Sequence, residues 1–283
     1  MIRTFKHISV LVTAILSLSL SSCGGSSDNG HEENTDITTS DTENSGVDGK
    51  EISAQNVFNS IPARAEIINL IGESKVEYNP DLLNNPEVAS KYSLENSRAL
   101  NLGVYGSDLS VSGAFDQTQE SMIFLKCVNV LAKNLGVSTA FDQRMMERME
   151  QYKDNRDSTL EIIAQSFKKA DEYLKENNRP ATSSLILSGA WIEGMYISCE
   201  IAKTTKTESI IKTILSQEES LRHVVTMLEA SGLGADATYI LNDLKALKDN
   251  FTEANKSKAY TLENIKDITA KIVILRDKVV KTF

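Results

Sequence analysis

Two segments of the chain place carboxylate and aromatic side chains at spacings that could build a binding or catalytic site. Asp108 lies inside a predicted helix, where aspartate is a poor helix former and needs a polar partner if it is buried. Glu193 follows the only tryptophan of the chain by two residues. Two facing carboxyl groups could act as a glycosidase pair, and polar and aromatic side chains on facing helices commonly line ligand sites. We therefore predict a ligand site, without assigned catalytic residues, formed by Tyr105, Asp108, Asp116, Trp191, Glu193 and Tyr196.

The first of these segments also carries small residues in a stripe at alternating four- and three-residue spacing: Ala99, Gly103, Gly106, Ser110 and Gly113. Each glycine costs a helix interior about 1 kcal/mol relative to alanine, so the stripe needs a compensating contact. A neighbouring helix could supply it, and the segment with Ser184, Leu187, Ser188, Trp191 and Gly194 is the expected partner. The alternative is that a ligand lies against the stripe.

The residue inventory argues against most metal, cofactor and nucleotide chemistry. Of the three histidines, only His223 falls in the predicted folded body, so we expect no metal site and no cofactor. No phosphate-binding loop, nucleophile elbow or Cys-x-x-Cys pair occurs. The excess of 39 acidic over 30 basic residues argues against nucleic-acid binding. Cys127 and Cys199 are expected to be buried free thiols, with a disulfide between them as the alternative.

The N-terminal residues predict where the protein is located. Arg3 and Lys6 precede a short apolar run, which is the pattern of an export signal over residues 1–22. Leu20-Ser21-Ser22-Cys23 resembles a lipobox, in which the cysteine is diacylated and becomes the new N-terminus. Gly24 in place of an aspartate favours the outer membrane by analogy with such lipoproteins. We expect attachment through lipid on Cys23, on the periplasmic face or the cell surface, and no later stretch long and apolar enough to span a membrane.

Composition divides the mature chain into a tether and a body. Residues 23–52 contain eight acidic residues against one lysine, among Gly, Ser, Thr and Asn, which predicts a disordered, self-repelling tether. Such a coil of about 29 residues spans about 30 Å. Residues 53–283 are the predicted folded domain.

Apolar residues in this domain recur every three or four positions, which predicts an all-α fold. Short connections favour an antiparallel helical bundle, with two stacked four-helix halves as a further expectation. The predicted helices cover Pro62–Ile71, Ser93–Phe115, Thr118–Leu135, Thr139–Lys153, Asp157–Glu176, Pro180–Ala202, Thr207–Ala230, Asp236–Phe251 and Thr261 to the C-terminus.

Several motifs together resemble an uncharacterised group of helical lipoproteins from Bacteroides-type Gram-negative bacteria. They are the lipobox, Arg98-Ala-Leu-Asn-Leu-Gly-Val-Tyr-Gly-Ser-Asp108, Phe141-Asp142 and Trp191-Ile-Glu-Gly-Met-Tyr196. The resemblance implies an envelope location and an all-α body, but it does not imply an activity. We expect a lipid-anchored protein that binds a small-molecule ligand or a protein partner. The alternatives are an envelope scaffold that works through exposed helix faces, or a hydrolase that uses carboxylates alone.

Overall fold

The protein is described by a computed structural model that covers residues 76–153 and 155–283. Over these residues the fold is all-α, as predicted, and no strand occurs in them. The signal, the lipobox, the tether and the predicted helix Pro62–Ile71 lie outside the described residues. The α-helices of the described part are α1 (Glu95–Ala114), α2 (Thr118–Leu135), α3 (Gln143–Gln151), α4 (Arg156–Glu176), α5 (Pro180–Thr205), α6 (Glu208–Ser216), α7 (Glu218–Ala230), α8 (Thr238–Ser257) and α9 (Lys266–Lys281).

Local capping signals set several of these bounds. Helix α2 begins and ends where the sequence predicts, and Gly136 follows it in the left-handed conformation, with φ of 74°. Helix α3 begins at Gln143, later than the predicted Thr139, because the Asp142 side chain accepts from the Met145 amide and caps the helix there. A local residue thus sets each of these bounds, and the prediction recognised the glycine after α2 but not the cap of α3.

The predicted single helix over Thr207–Ala230 is wrong. The chain forms α6 and α7 with Gln217 between them. Helix α8 stabilises this break from outside: the Asn255 amide donates to the Leu215 carbonyl oxygen at 3.2 Å and to Glu218 at 2.7 Å. The second part of the body therefore has five helices, not the four expected for one of two equal halves.

Helices α1 and α5 form the centre of the bundle, and they run parallel. At their N-terminal ends the Thr182 hydroxyl donates to Glu95, and nearer their C-terminal ends Ser107 donates to the Ala190 carbonyl oxygen at 2.9 Å. Helices α1 and α2, which follow each other in sequence, are antiparallel as expected: Ser112 and Tyr105 of α1 contact Ser121 and Phe124 of α2. The central pair differs because three helices separate α1 from α5 along the chain.

Gly103 and Gly189 allow the two central backbones to touch. A Cβ atom on Gly103 would lie 2.0 Å from the Ile186 carbonyl oxygen, and one on Gly189 would lie 1.9 Å from the Leu100 carbonyl oxygen. The two contacts are reciprocal, since each glycine meets the residue three positions before the other. A side chain at either position would force the helices apart.

Packing of helices thus accounts for the glycine stripe. Gly103 faces α5, whereas Gly106 faces the Phe167 ring and Gly113 faces Thr159, both on α4. The predicted partner helix is correct, but its contacting face differs from the one expected. Ile186, Gly189 and Ala190 meet α1. Ser184 instead donates to the Met227 carbonyl oxygen, and Trp191 packs on Phe251.

Helix α5 is long and apolar enough to cross a membrane by length and composition, contrary to the expectation that no later stretch would be. Within the fold, however, 89% of its most apolar window is buried. Its hydrophobicity is explained by its central position, because a helix surrounded by other helices needs apolar residues on every face.

The end of α9 is capped by side chains from the start of the body. Its last carbonyl oxygens have no partner within the helix. Tyr92 donates to the Val280 carbonyl oxygen at 3.0 Å, Asn101 donates to that of Val279 at 3.0 Å, and Ser97 donates to that of Thr282. These bonds hold α9 against α1.

Candidate functional site

Two of the predicted site residues, Asp108 and Glu193, meet in the core beside an arginine that the sequence reasoning missed. Their carboxyl groups are in hydrogen-bonding contact, and both side chains are fully buried. Arg276 of α9 binds Glu193 through two hydrogen bonds, from Nε at 3.0 Å and from Nη2 at 2.9 Å. The side chains of these three residues are referred to below as the carboxyl–arginine cluster.

A proton shared by the two carboxyl groups accounts for their close contact. Asp108 Oδ2 accepts from the Asn84 amide at 3.2 Å, but no donor from the described residues reaches Oδ1. A proton on Asp108 that is donated to Glu193 satisfies both groups and leaves one negative charge to pair with Arg276. Burial and the adjacent Glu193 carboxylate raise the pKa of Asp108 well above its usual range, although Arg276 and the Asn84 amide oppose the shift.

Two of the predicted aromatic residues, Tyr196 and Tyr105, lie near the cluster. The Tyr196 ring covers the Arg276 guanidinium group, with 4.5 Å from the guanidinium carbon to the ring centroid. Tyr105 is fully buried and donates to the Asn85 carbonyl oxygen at 2.7 Å. Burial raises the pKa of Tyr105 above its usual range, so this hydroxyl is neutral. The only member of the cluster that reaches the surface is Arg276, with 15% of its side chain exposed.

This enclosure corrects the predicted ligand site between α1 and α5. The opposing backbone fills the space against Gly103, and Asp108 and Glu193 have no exposed surface for a ligand to touch. The glycosidase interpretation also fails, because its two carboxyl groups must stand about 5 to 9.5 Å apart across an open cleft. Asp108 and Glu193 are in direct contact in a closed core. In this position they hold three helices together.

The other predicted site residues lie apart from the cluster. Trp191 is fully buried and packs against Phe251 of α8, with ring centroids 6.4 Å apart. Asp116 lies in the turn between α1 and α2, with a φ of 57°. It lines a cavity of about 20 Å³, which is enough for one water molecule and too small for an organic ligand.

A surface groove between α8 and α9 was not predicted. It has a volume of about 610 Å³ and is open to solvent. Its charged lining consists of Asp249, Glu253, Glu263, Asp267 and Lys271. The sequence shows these residues as ordinary solvated faces of two helices, and only the antiparallel packing of α8 on α9 brings them together.

The structure describes no metal centre or reactive thiol in residues 76–153 and 155–283. No group of three His, Cys, Asp or Glu side chains in this part of the chain could hold a metal ion. Cys127 and Cys199 are buried free thiols. Burial raises the pKa of Cys127 to about 11 and that of Cys199 to about 12, so neither thiol ionises near neutral pH.

No family model matches the sequence, and neither a curated protein nor a solved structure gives a match.

The proton shared by Asp108 and Glu193 lets us predict how the stability of the protein changes with pH. Since the folded-state pKa of Asp108 is raised, the folded protein keeps a proton that the unfolded chain has lost at any pH between the two pKa values. The free energy of unfolding therefore falls by about 1.4 kcal/mol for each pH unit as pH rises through this window. The window begins near the pKa of Asp108 in the unfolded chain, which is about 4. The Asp108→Asn variant has no group to ionise at this position, and its new side-chain amide can donate to Glu193.

The prediction is tested by urea unfolding of both proteins at pH 5, 6 and 7. The advantage of Asp108→Asn over the natural protein should grow with pH, and other titrating groups cancel in the comparison. A difference that stays constant between pH 5 and 7 would show that Asp108 is ionised in the folded state.

Proposed function

We propose that the protein is a lipid-anchored component of a bacterial cell envelope whose helical body interacts with its partner through the outer surface. The observation that carries the proposal is the lipobox-like Leu20-Ser21-Ser22-Cys23 behind a basic and apolar leader. Several acyl chains on one cysteine give a durable attachment, because one chain alone binds membranes only marginally. The membrane is thus the first partner of the protein.

Enclosure of the carboxyl–arginine cluster supports the outer surface as the region of contact. Asp108 and Glu193 are fully buried, so the polar residues that best fitted an internal ligand site are used for packing. Interaction through exposed helix faces needs no internal cavity. Both a binding protein and an envelope scaffold could act in this way. Gly24 after the acylated cysteine favours the outer membrane, on its periplasmic face or at the cell surface.

The proposal extends to the resemblance with helical lipoproteins of Bacteroides-type bacteria. Two of the motifs that carry it, around Gly103 and around Glu193, are the ones that form the central helix contact and the carboxyl–arginine cluster. A chain of this group would keep these residues for stability, and its activity would lie in residues exposed on the surface.

Metabolic labelling tests the anchor. The full chain is produced in a Gram-negative host supplied with an alkyne analogue of palmitate, and the label is detected on the purified protein. We expect the natural chain to carry the label, the Cys23→Ser variant to lack it, and the Cys127→Ser variant to retain it as a matched cysteine control. An unlabelled natural chain, or a Cys23→Ser variant that keeps its label, would contradict the proposal.

A further inference from the structure

The outward face of α2 carries apolar and basic residues that have no partner in the described part of the chain. Ile123 and Val130 are 43% and 39% exposed and lie seven residues apart. Together with Gln119, Lys126 and Lys133 they form an exposed row at alternating four- and three-residue spacing, referred to below as the α2 stripe. The ion pairs of the described residues include neither Lys126 nor Lys133. The spacing of the row is typical of a helix that packs along another helix.

The groove between α8 and α9 carries the opposite charge. Four of its lining residues are acidic: Asp249, Glu253, Glu263 and Asp267. Lys271, the only cation in the described lining, donates to the Ala246 carbonyl oxygen at 3.1 Å and does not pair with these acids. Asp249 and Asp267 are exposed and form no ion pair with a described cation. The groove therefore presents uncompensated negative charge to solvent.

The same groove also offers apolar surface. Ala254 and Ile268 are buried and belong to its lining. A further cavity of about 120 Å³ lies beside Ile274, which is 58% exposed. The two cavities share Ala246 and Lys271, so they form one continuous depression along the two helices, referred to below as the α8–α9 groove.

We propose that the α2 stripe of one copy of the protein docks in the α8–α9 groove of a second copy. The stripe is apolar and basic, and the groove is apolar and acidic, so the two surfaces are complementary in both respects. Their lengths also agree. The stripe from Ile123 to Lys133 is about 15 Å long, and α8 lines the groove from Ala246 to Ser257, which is about 16.5 Å along a helix.

The stripe and the groove belong to different parts of the fold, so the contact between copies is head-to-tail. Helix α2 packs on α1, whereas α8 and α9 pack on each other, on α7 and on α5. The groove stays open in the same fold that leaves the stripe exposed, so a chain does not fill its own groove. Each contact leaves one free stripe and one free groove at the ends of the pair, and further copies can add there or close a ring. This inference does not depend on the lipid anchor.

Photo-crosslinking of the full chain in the cells that produce it tests the contact. The photoreactive amino acid p-benzoylphenylalanine replaces Ile123, and irradiation links it to neighbouring atoms. We expect a covalent dimer of the chain, with the link mapped by mass spectrometry to residues 246–274 of the second copy. The same probe in place of Tyr173, an exposed residue of α4, should give no dimer. The absence of a dimer from position 123, a link to α2 of the second copy, or a link to a different protein would overturn the proposal.

Charge reversal on the two surfaces tests their pairing, with the probe kept at position 123. Asp249→Lys/Asp267→Lys places like charges opposite Lys126 and Lys133, so the yield of dimer should fall at least about tenfold. Addition of Lys126→Glu/Lys133→Glu to this variant makes the charges opposite again and should restore the dimer. A general loss of folding would not be reversed in this way.

A matched control makes the same change in net charge elsewhere on the surface. Asp157→Lys/Glu172→Lys replaces two exposed acids of α4 and should leave the yield of dimer unchanged. An equal fall in this control, or a chain with both surfaces reversed that stays monomeric, would mean that the stripe and the groove do not pair. Either result would overturn the proposal.

Discussion

Gly103→Ala should unfold at a markedly lower urea concentration than the natural protein, although alanine is the better helix former. The new Cβ atom would lie 2.0 Å from the Ile186 carbonyl oxygen and 2.5 Å from the Ala190 backbone nitrogen. Neither atom can move alone, since both belong to the backbone of α5. The two central helices must separate, and we expect the free energy of unfolding to fall by about 3 kcal/mol.

Gly113→Ala is the matched control in the same helix. Its Cβ atom would lie 3.5 Å from Thr159 Cγ2, which is an ordinary van der Waals contact. This variant should keep its stability or gain up to about 1 kcal/mol from helix propensity. Equal urea midpoints for the two variants would mean that α1 and α5 do not touch through their backbones.

The second large effect is expected for Glu193→Ala. The substitution leaves Arg276 charged and largely buried without the carboxylate that accepts its two hydrogen bonds. Removal of one partner from a buried ion pair costs about 3 to 5 kcal/mol, because the other charge stays desolvated. Urea or thermal unfolding of the variant beside the natural protein measures this loss.

A double variant distinguishes charge from packing. In Glu193→Leu/Arg276→Met both charges are replaced by apolar side chains of similar size. Such replacements often restore stability, so this variant should be clearly more stable than Glu193→Ala. It should stay below the natural protein, because Asp108 remains buried without the carboxylate that accepts its proton. If the double variant is as unstable as Glu193→Ala, the loss of stability comes from packing around the cluster and not from the unpaired charge.

Helices whose signals are local could be predicted from the sequence, and those shaped by distant contacts could not. The capping glycine at 136 directly follows the last turn of α2, so both the sequence and the structure end the helix there. The break at Gln217 has no glycine or proline. The apolar residues on its two sides, up to Leu215 and from Leu221, keep one helical phase across the five polar residues 216–220. Its stabilising partner, Asn255, lies 40 residues after Leu215 in sequence and belongs to another helix.

The candidate site was predicted in part for the same reason. The sequence singles out Asp108 because an acid inside a helix needs a partner if it is buried, and it singles out Glu193 because it lies beside Trp191. Arg276 carried a comparable signal, since it lies on the apolar face of α9 between Ile272 and Val279, four residues after one and three before the other. Whether Arg276 reaches Glu193 depends on how α9 packs on α5, and the residue pattern of one helix does not determine that geometry.

The capping of α9 by Tyr92, Ser97 and Asn101 also sets an order for folding. These bonds join positions 178 to 188 residues apart, so α9 must be synthesised before they can form. Arg276 likewise reaches Glu193 only after α9 has been made. Until then, the two carboxyl groups of the cluster lack the cation that pairs with them. A chain that is synthesised from its N-terminus therefore cannot complete the α1–α9 contact or the carboxyl–arginine cluster until α9 has been made.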